Sequence, residues 1–181
     1  MFGHALALQH KNYYQNMYGW QEDNFIGLTP QANQWHKKWS TFFAEQRIGY
    51  QLQLLAERGE PICDIDKAVE AVSRLLKGHA PLASMLHGDL WQGNIGFHKD
   101  KPTIFDPAFY YGDRETDIAM TELFSRFHDD FYQAYQDQWP LDEGYAYRKP
   151  VYQLYHVLNH ALMFGGHYAD SAKAMLKNMD L

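Results

Sequence analysis

Residues 87–118 read HGDLWQGNIGFHKDKPTIFDPAFYYGDRETDI, and the fold is decided here. Asp89 and Asn94 stand five positions apart on one loop, and a second acid, Asp106, follows two short apolar runs. Residues 95–97 and 103–105 suit extended backbone, and residues 98–102 (HKDKP) suit the turn between them. Such a hairpin folds Asp106 back over Asn94. These residue types fit phosphoryl transfer, in which a protein positions a hydroxyl and holds metal ions that neutralise the transferred group. Asp89 is the candidate acceptor of the hydroxyl's proton, and Asn94 and Asp106 offer the hard oxygen ligands that Mg²⁺ prefers. Any one of the three reads equally well as a turn residue bonding to nearby backbone. The ordered set favours chemistry, and by residues alone it describes a kinase acting on a small hydroxyl-bearing group.

Outward from this stretch the spacing is helical. Residues 2–14 suit a helix with no capping residue ahead of it, and residues 19–33 (GWQEDNFIGLTPQAN) read as a turn-rich aromatic loop. Over residues 33–59, Trp35, Trp39, Phe42 and Phe43 predict one long buried helix, stopped at Gly59-Glu60-Pro61. Asp64 is a good N-cap for a helix whose stripe of Ala68, Val69, Val72, Leu75 and Leu76 ends at Gly78. Residues 85–86 suit a short strand, and residues 117–124, 129–138, 145–163 and 168–179 suit helices. The expectation is a mainly α fold with a small β-hairpin insertion, forming a single domain over residues 1–181 because no linker or repeat divides the chain.

Composition narrows the classes. Apolar residues make up 46% and charged residues 21%, so the chain can bury a core and disorder is disfavoured. The 16 Lys and Arg against 22 Asp and Glu give a net charge of −6, with no basic run, which argues against nucleic-acid binding. No apolar stretch approaches the roughly 20 residues that span a bilayer, so no membrane partner is expected. The one cysteine, Cys63, forms no internal disulfide, which fits a reducing, cytoplasmic setting.

Asp89 and Asn94 also match the D-x-x-x-x-N spacing of kinase catalytic loops, with His87 two places before the Asp. The strings LHGDLWQGN (86–94), FDPAFYYGDRETDIAM (105–120) and YQLYHVLNHALMFGG (152–166), together with residues 19–33, resemble the fructosamine kinase family, relatives of the aminoglycoside and choline kinases. The resemblance covers essentially the whole chain. It implies the C-terminal lobe of a protein-kinase-like, aminoglycoside phosphotransferase-type fold, with Asp89 as catalytic base, Asn94 and Asp106 as Mg²⁺ ligands, and His87 and Asp117 bracing the loop. It implies ATP as phosphoryl donor, and ketosamines, small or carried on glycated proteins, as substrates. A ketosamine carries a sugar and a cationic amine, so Trp91, Tyr110, Asp113 and Glu115 are the nearest candidate contacts in sequence. Asn159 either lines the cleft or caps a buried carbonyl.

One half of a kinase is not found. Neither G-x-G-x-x-G nor G-x-x-x-x-G-K-[ST] occurs, and no strand lysine is evident, so the N-terminal β lobe that grips the nucleotide is expected to be absent. The chain is therefore expected to be a fragment, a truncated gene product or an isolated lobe, with Phe2, Trp20 and Phe25 as an exposed apolar patch. An inert remnant acting as a binding module is the alternative, as is a kinase of another small hydroxylated molecule. His156 and His160, four apart, could ligate zinc, but no Glu follows His156 and no third ligand is evident, which favours packing or substrate contact.

Overall fold

The computed structural model describes residues 2–99 and 101–179. The chain opens with α1 (Phe2–Asn12), β1 (Tyr14–Gln15), β2 (Asn24–Ile26) and β3 (Thr29–Gln31). A long helix follows in three parts, α2 (Trp39–Phe42), a π-helical segment Phe43–Gly49 and α3 (Tyr50–Glu57). After α4 (Ile65–Leu75) come β4 (Ala83–Met85), β5 (Ile95–His98), β6 (Lys101–Ile104) and β7 (Tyr111–Gly112). The C-terminal third is helical, with α5 (Glu115–Thr121), α6 (Asp129–Gln138), α7 (Tyr145–Phe164) and α8 (His167–Asn178). The fold is mainly α as expected, but its strands form three small sheets, β1-β4-β7, β2-β3 and β5-β6, where one was anticipated. Among the described residues no helix is long and apolar enough to cross a membrane.

Three expectations change. The segment read as a loop contains the β2–β3 hairpin, in which Asn24 pairs with Gln31 across a turn at Gly27 (φ +57°). The long helix starts at Trp39 and not near residue 33, because His36 exchanges both backbone bonds with Tyr18 and so holds that stretch extended. Trp35 is consequently 40% exposed and stacks on Tyr111, outside the core. The expected apolar patch does not form as drawn either. Phe2 packs on Phe127 and Phe131, Trp20 packs on Phe109 and Tyr111, and only Phe25 stands out at 61% exposed.

The larger core gathers Trp39, Phe43, Leu52, Tyr152, Leu158 and their neighbours around α7. A second cluster, with Leu6, Ala7, Leu90, Ile118 and Phe131, sits between α1, α5 and α6. It puts Leu90 of the 86–94 loop among apolar side chains, so the loop is anchored by burial as well as by polar bonds. The polar anchor is Asp117, 1% exposed. Its Oδ2 accepts from the backbone N–H of His87 (2.8 Å) and from His10 Nε2 (3.2 Å), and its Oδ1 accepts from the N–H of Gly88 (2.9 Å). Behind it, Arg114 donates to the Tyr135 hydroxyl (3.2 Å), which lies 2.8 Å from His10 Nδ1. Each donor in that chain therefore points toward the carboxylate. Gly88 adopts φ +81°, and a Cβ there would stand 2.0 Å from the carbonyl oxygen of Ala108, so the loop closes directly on backbone.

Burial by itself would raise the Asp117 pKa, but the hydrogen bond from His10 and the nearby His10 and His87 rings outweigh it and hold the carboxyl below its ordinary value. A depressed native pKa contributes stability that is present above the unfolded-state value, near 4, and is lost as pH falls through the lower native one. Asp117→Ala leaves the N–H groups of His87 and Gly88 unpaired, and is expected to cost about 3–5 kcal/mol. At two to four degrees per kcal/mol in a chain of this size, Tm should fall by roughly 10 °C at pH 7. The deficit should narrow below about pH 4, which thermal melts across that range would measure.

Candidate active site

Asp89 opens the loop between β4 and β5, and Asn94 closes it in a short 3₁₀ turn, Gln92–Asn94. Asn94 is buried and donates its amide nitrogen to Asp89 twice, to the carbonyl oxygen (2.9 Å) and to carboxylate Oδ2 (3.3 Å). Its own side-chain oxygen is the group left for a cation. The β5–β6 hairpin forms, Ile95 opposite Ile104 and Gly96 opposite Thr103, but its ladder runs on to His98 opposite Lys101, so His98, Lys101 and Pro102 belong to the strands and not to the turn expected over residues 98–102; Asp100 lies outside the described residues. At the hairpin's base the N–H of Phe105 donates to the carbonyl of Asn94 (3.1 Å), which returns Asp106 to the loop.

His87 completes the brace. Its Nδ1 accepts from the N–H of Asp89 (3.3 Å), so its proton sits on Nε2, 2.9 Å from the carbonyl oxygen of Phe105. One imidazole thus fixes the backbone just before Asp106 relative to Asp89. Asp106 is exposed and has φ +53°, a left-handed conformation that a short polar residue tolerates. Among the described residues no lysine, arginine or histidine pairs with it. A neutral amide oxygen beside an uncompensated carboxylate is a donor set that suits a hard divalent cation.

Asp89 is half-buried, and burial pushes its carboxyl up to about 6. The Asn94 bond works against this shift, and the Asp117 and Asp106 charges add to it. The carboxylate faces a cleft of about 410 Å³ shared with Trp91, Asn159, His160, Met163, Phe164 and Tyr168. Residues 159, 160 and 163 lie on the side of α7 turned to the cleft. Asn159 is 2% exposed, lines the cleft, and its Oδ1 has no partner. His160 donates Nδ1–H to the carbonyl of His156 (2.9 Å), and among the described residues the one group spaced to hold a metal ion, His79, Asp113 and Glu115, includes neither histidine. Phe124, His160, Phe164 and Tyr168 pack on one another as a wall of rings.

Of the residues proposed for substrate contact, Trp91 and Asn159 reach this cleft and three others do not. Tyr110 is 1% exposed, its ring beneath the Arg47 guanidinium at 3.9 Å. Asp113 is buried and accepts from Tyr152 (2.7 Å) and His79 (2.7 Å), while Glu115 is buried against Arg148 through two bonds (2.8 and 2.7 Å). Nearness in sequence misleads because these side chains are taken up by partners elsewhere in the fold, Arg47, Tyr152 with His79, and Arg148. His79, Asp113 and Glu115 could by spacing hold a metal ion, but each is already paired within the protein. His10, 107 positions from Asp117, and Tyr168 of α8 join the site through contacts that leave no local signal in the sequence.

The family model described as fructosamine kinase matches residues 1–180. A probable ketoamine kinase of Vibrio parahaemolyticus is 52% identical over 178 residues, 98% of this chain and 62% of that protein. One from Escherichia coli K12 is 45% identical over 179 residues, 99% of this chain and 63% of that protein. A crystal structure of a candidate fructosamine-3-kinase from Haemophilus somnus superposes with a TM-score of 0.94 at 38% identity, covering 98% of this chain and 61% of that one. The chain thus spans about three fifths of the length of these relatives. Matched from end to end by the family's model and half-identical to a ketoamine kinase, the chain belongs to the fructosamine kinase family.

Proposed function

We propose that the chain is the catalytic, C-terminal lobe of a protein-kinase-like ketosamine kinase, with Asp89 as the base that takes the proton of a sugar hydroxyl. The observation that carries this reading is the grouping around Asp89 of its own raised pKa beside the cleft, the buried Asn94 side chain bonded to it and the nearby charge of Asp106, an exposed acid returned by the hairpin. A raised pKa suits a base that must accept a proton near neutrality. Asn94 and Asp106 would hold Mg²⁺, which when bound neutralises charge on the phosphates of ATP. Asn94 restricts Asp89 through Oδ2, so that Oδ1 remains to meet the hydroxyl. Trp91 and the ring wall offer faces for a sugar and its cationic amine, and the unpartnered Asn159 Oδ1 can accept from a hydroxyl or an ammonium. The names of the relatives, ketoamine and fructosamine kinases, support the substrate class.

The glycine loop and phosphate-binding lysine of such kinases have no counterpart in these 181 residues. Positioning and electrostatic stabilisation supply most of phosphoryl-transfer catalysis, so this lobe by itself is the inert alternative: it retains the metal and substrate side without turnover. Incubated with ATP, Mg²⁺ and fructosyl-lysine, the 181-residue chain is expected to yield no ketosamine phosphate, whereas a protein joining it to a nucleotide-gripping lobe should yield it. Product from the short chain would refute the division of labour, and none from the joined protein would refute the substrate class. In the joined protein Asp89→Asn should lower kcat by about 10²–10⁴-fold, the typical worth of a general base, with nucleotide affinity nearly unchanged. Wild-type turnover in that variant would remove Asp89 from the mechanism.

A further inference from the structure

The polar atom facing Asp89 from α7 has no partner. His156 is 3% exposed, and its Nδ1 is buried without a hydrogen bond, 3.9 Å from Asp89 Oδ1. That oxygen is the one Asn94 leaves free, since the Asn94 amide is bonded to Oδ2. Three states of the ring are conceivable, and the surroundings separate them. Burial, the adjacent His160 and the buried Arg47 hold the His156 pKa down to about 3, so the ring is neutral at pH 7. With its proton on Nε2, the ring would turn a bare lone pair toward a carboxylate oxygen, two acceptors facing each other where little water screens them. With its proton on Nδ1, the same geometry is attractive.

We infer that His156 is a positioning residue for Asp89: a neutral imidazole carrying its proton on Nδ1 and aimed at Oδ1, so that the carboxylate is held from both sides when the cleft fills. This rests on the reading of Asp89 as the base. At 3.9 Å the bond is unmade, and closing it takes a movement of less than about 1 Å, the kind of tightening that catalytic hydrogen bonds undergo once substrate arrives. The ring has little freedom to do otherwise. His156 lies in the middle of α7, its ring edge-on to Tyr155 (5.1 Å between centroids), and its carbonyl is tied to His160. A neutral donor orients the carboxylate without the cost of a second buried charge, and it donates to the carboxylate without supplying a proton that a cation would lose.

Two measurements test this. In the 181-residue chain labelled with ¹⁵N-histidine, long-range ¹H–¹⁵N spectra at pH 7 should show His156, identified by its loss in His156→Leu, as the Nδ1–H tautomer. Asp89→Ala should shift that preference toward Nε2–H. A wild-type ring found as Nε2–H or as imidazolium overturns the inference, whatever the chain's activity. In the joined two-lobe protein, His156→Leu should lower kcat about tenfold, the scale of one hydrogen bond to a charged group, without changing KM for ATP or ketosamine. His156→Asn, whose amide sets an N–H close to where Nδ1 stands, should restore most of the rate. Equal losses in both variants, or a loss confined to KM, would make the residue structural. If Asp89→Asn keeps wild-type turnover in the joined protein, the reading of Asp89 as base fails while the tautomer spectrum still decides the placement of His156.

Discussion

The buried carboxylate of Asp117 is the constraint on which the rest of the structure depends. Two consecutive backbone N–H groups, at His87 and Gly88, point into the protein where the chain leaves β4, and a buried N–H without an acceptor is costly. A single carboxylate takes both and adds His10, so its own burial is offset by three donors, one of them a side chain from the start of the sequence. The glycine at position 88 follows from the same arrangement. A loop drawn this close to Ala108 has no room for a side chain, and glycine adopts the positive φ without steric cost.

The environments of two neighbouring acids then divide their work. Asp117 has three donors and sits below the ordinary carboxylate value, so it stays ionised and structural. Asp89 has one long side-chain donor, is largely removed from water and lies near two other carboxylates, which moves it up to about 6. Carboxyl groups whose surroundings push their pKa values apart take different roles, one as a fixed anion and one as a proton acceptor. The Asp89 carboxyl is therefore tuned partly by the residue that braces its loop. A change at Asp117 would be felt at Asp89 twice, through position and through charge.

Much of this was legible in the sequence, and the misses have physical causes. The β5–β6 pairing, the Asp64 cap, which accepts from the Lys67 N–H at 3.1 Å, and α6 at residues 129–138 are local, set by neighbours within a few positions, although the strands reach into residues 98–102, where a turn was expected. The β2–β3 hairpin was missed because Asn24, Gln31 and Asn33 owe their order to one another and to the carbonyls of Ala108 and Phe109, more than 70 positions away. Trp35 has helical spacing to Trp39, but the pairing of His36 with Tyr18 overrides it. Tyr110, Asp113 and Glu115 follow the motif closely and still turn away from it, because each is claimed by a distant partner, Arg47, Tyr152 with His79, and Arg148. Asn159 and His160 could be suspected as polar groups on an apolar helix, whereas the approach of His156 to Asp89 depends on how α7 crosses the loop.

The hairpin shows how the fold protects the spacing of the site. Register in a two-stranded ribbon is weakly held, and a slip of one residue turns every side chain to the other face. Here the register is fixed at the base and not at the tip. Phe105 gives its N–H to Asn94 and its carbonyl to His87, both outside the strand ladder, and these bonds fix the peptide that carries Asp106. The ladder from Ile95–Ile104 to His98–Lys101 then extends away from the cleft, ending in exposed residues such as Phe97 and Lys99. A change of residue at the tip alters the ribbon's far end and leaves the Asn94–Asp106 pair where His87 and Asp117 hold it. The same substitution at Phe105 is harmless only if its backbone bonds survive, because the side chain is not what the site uses.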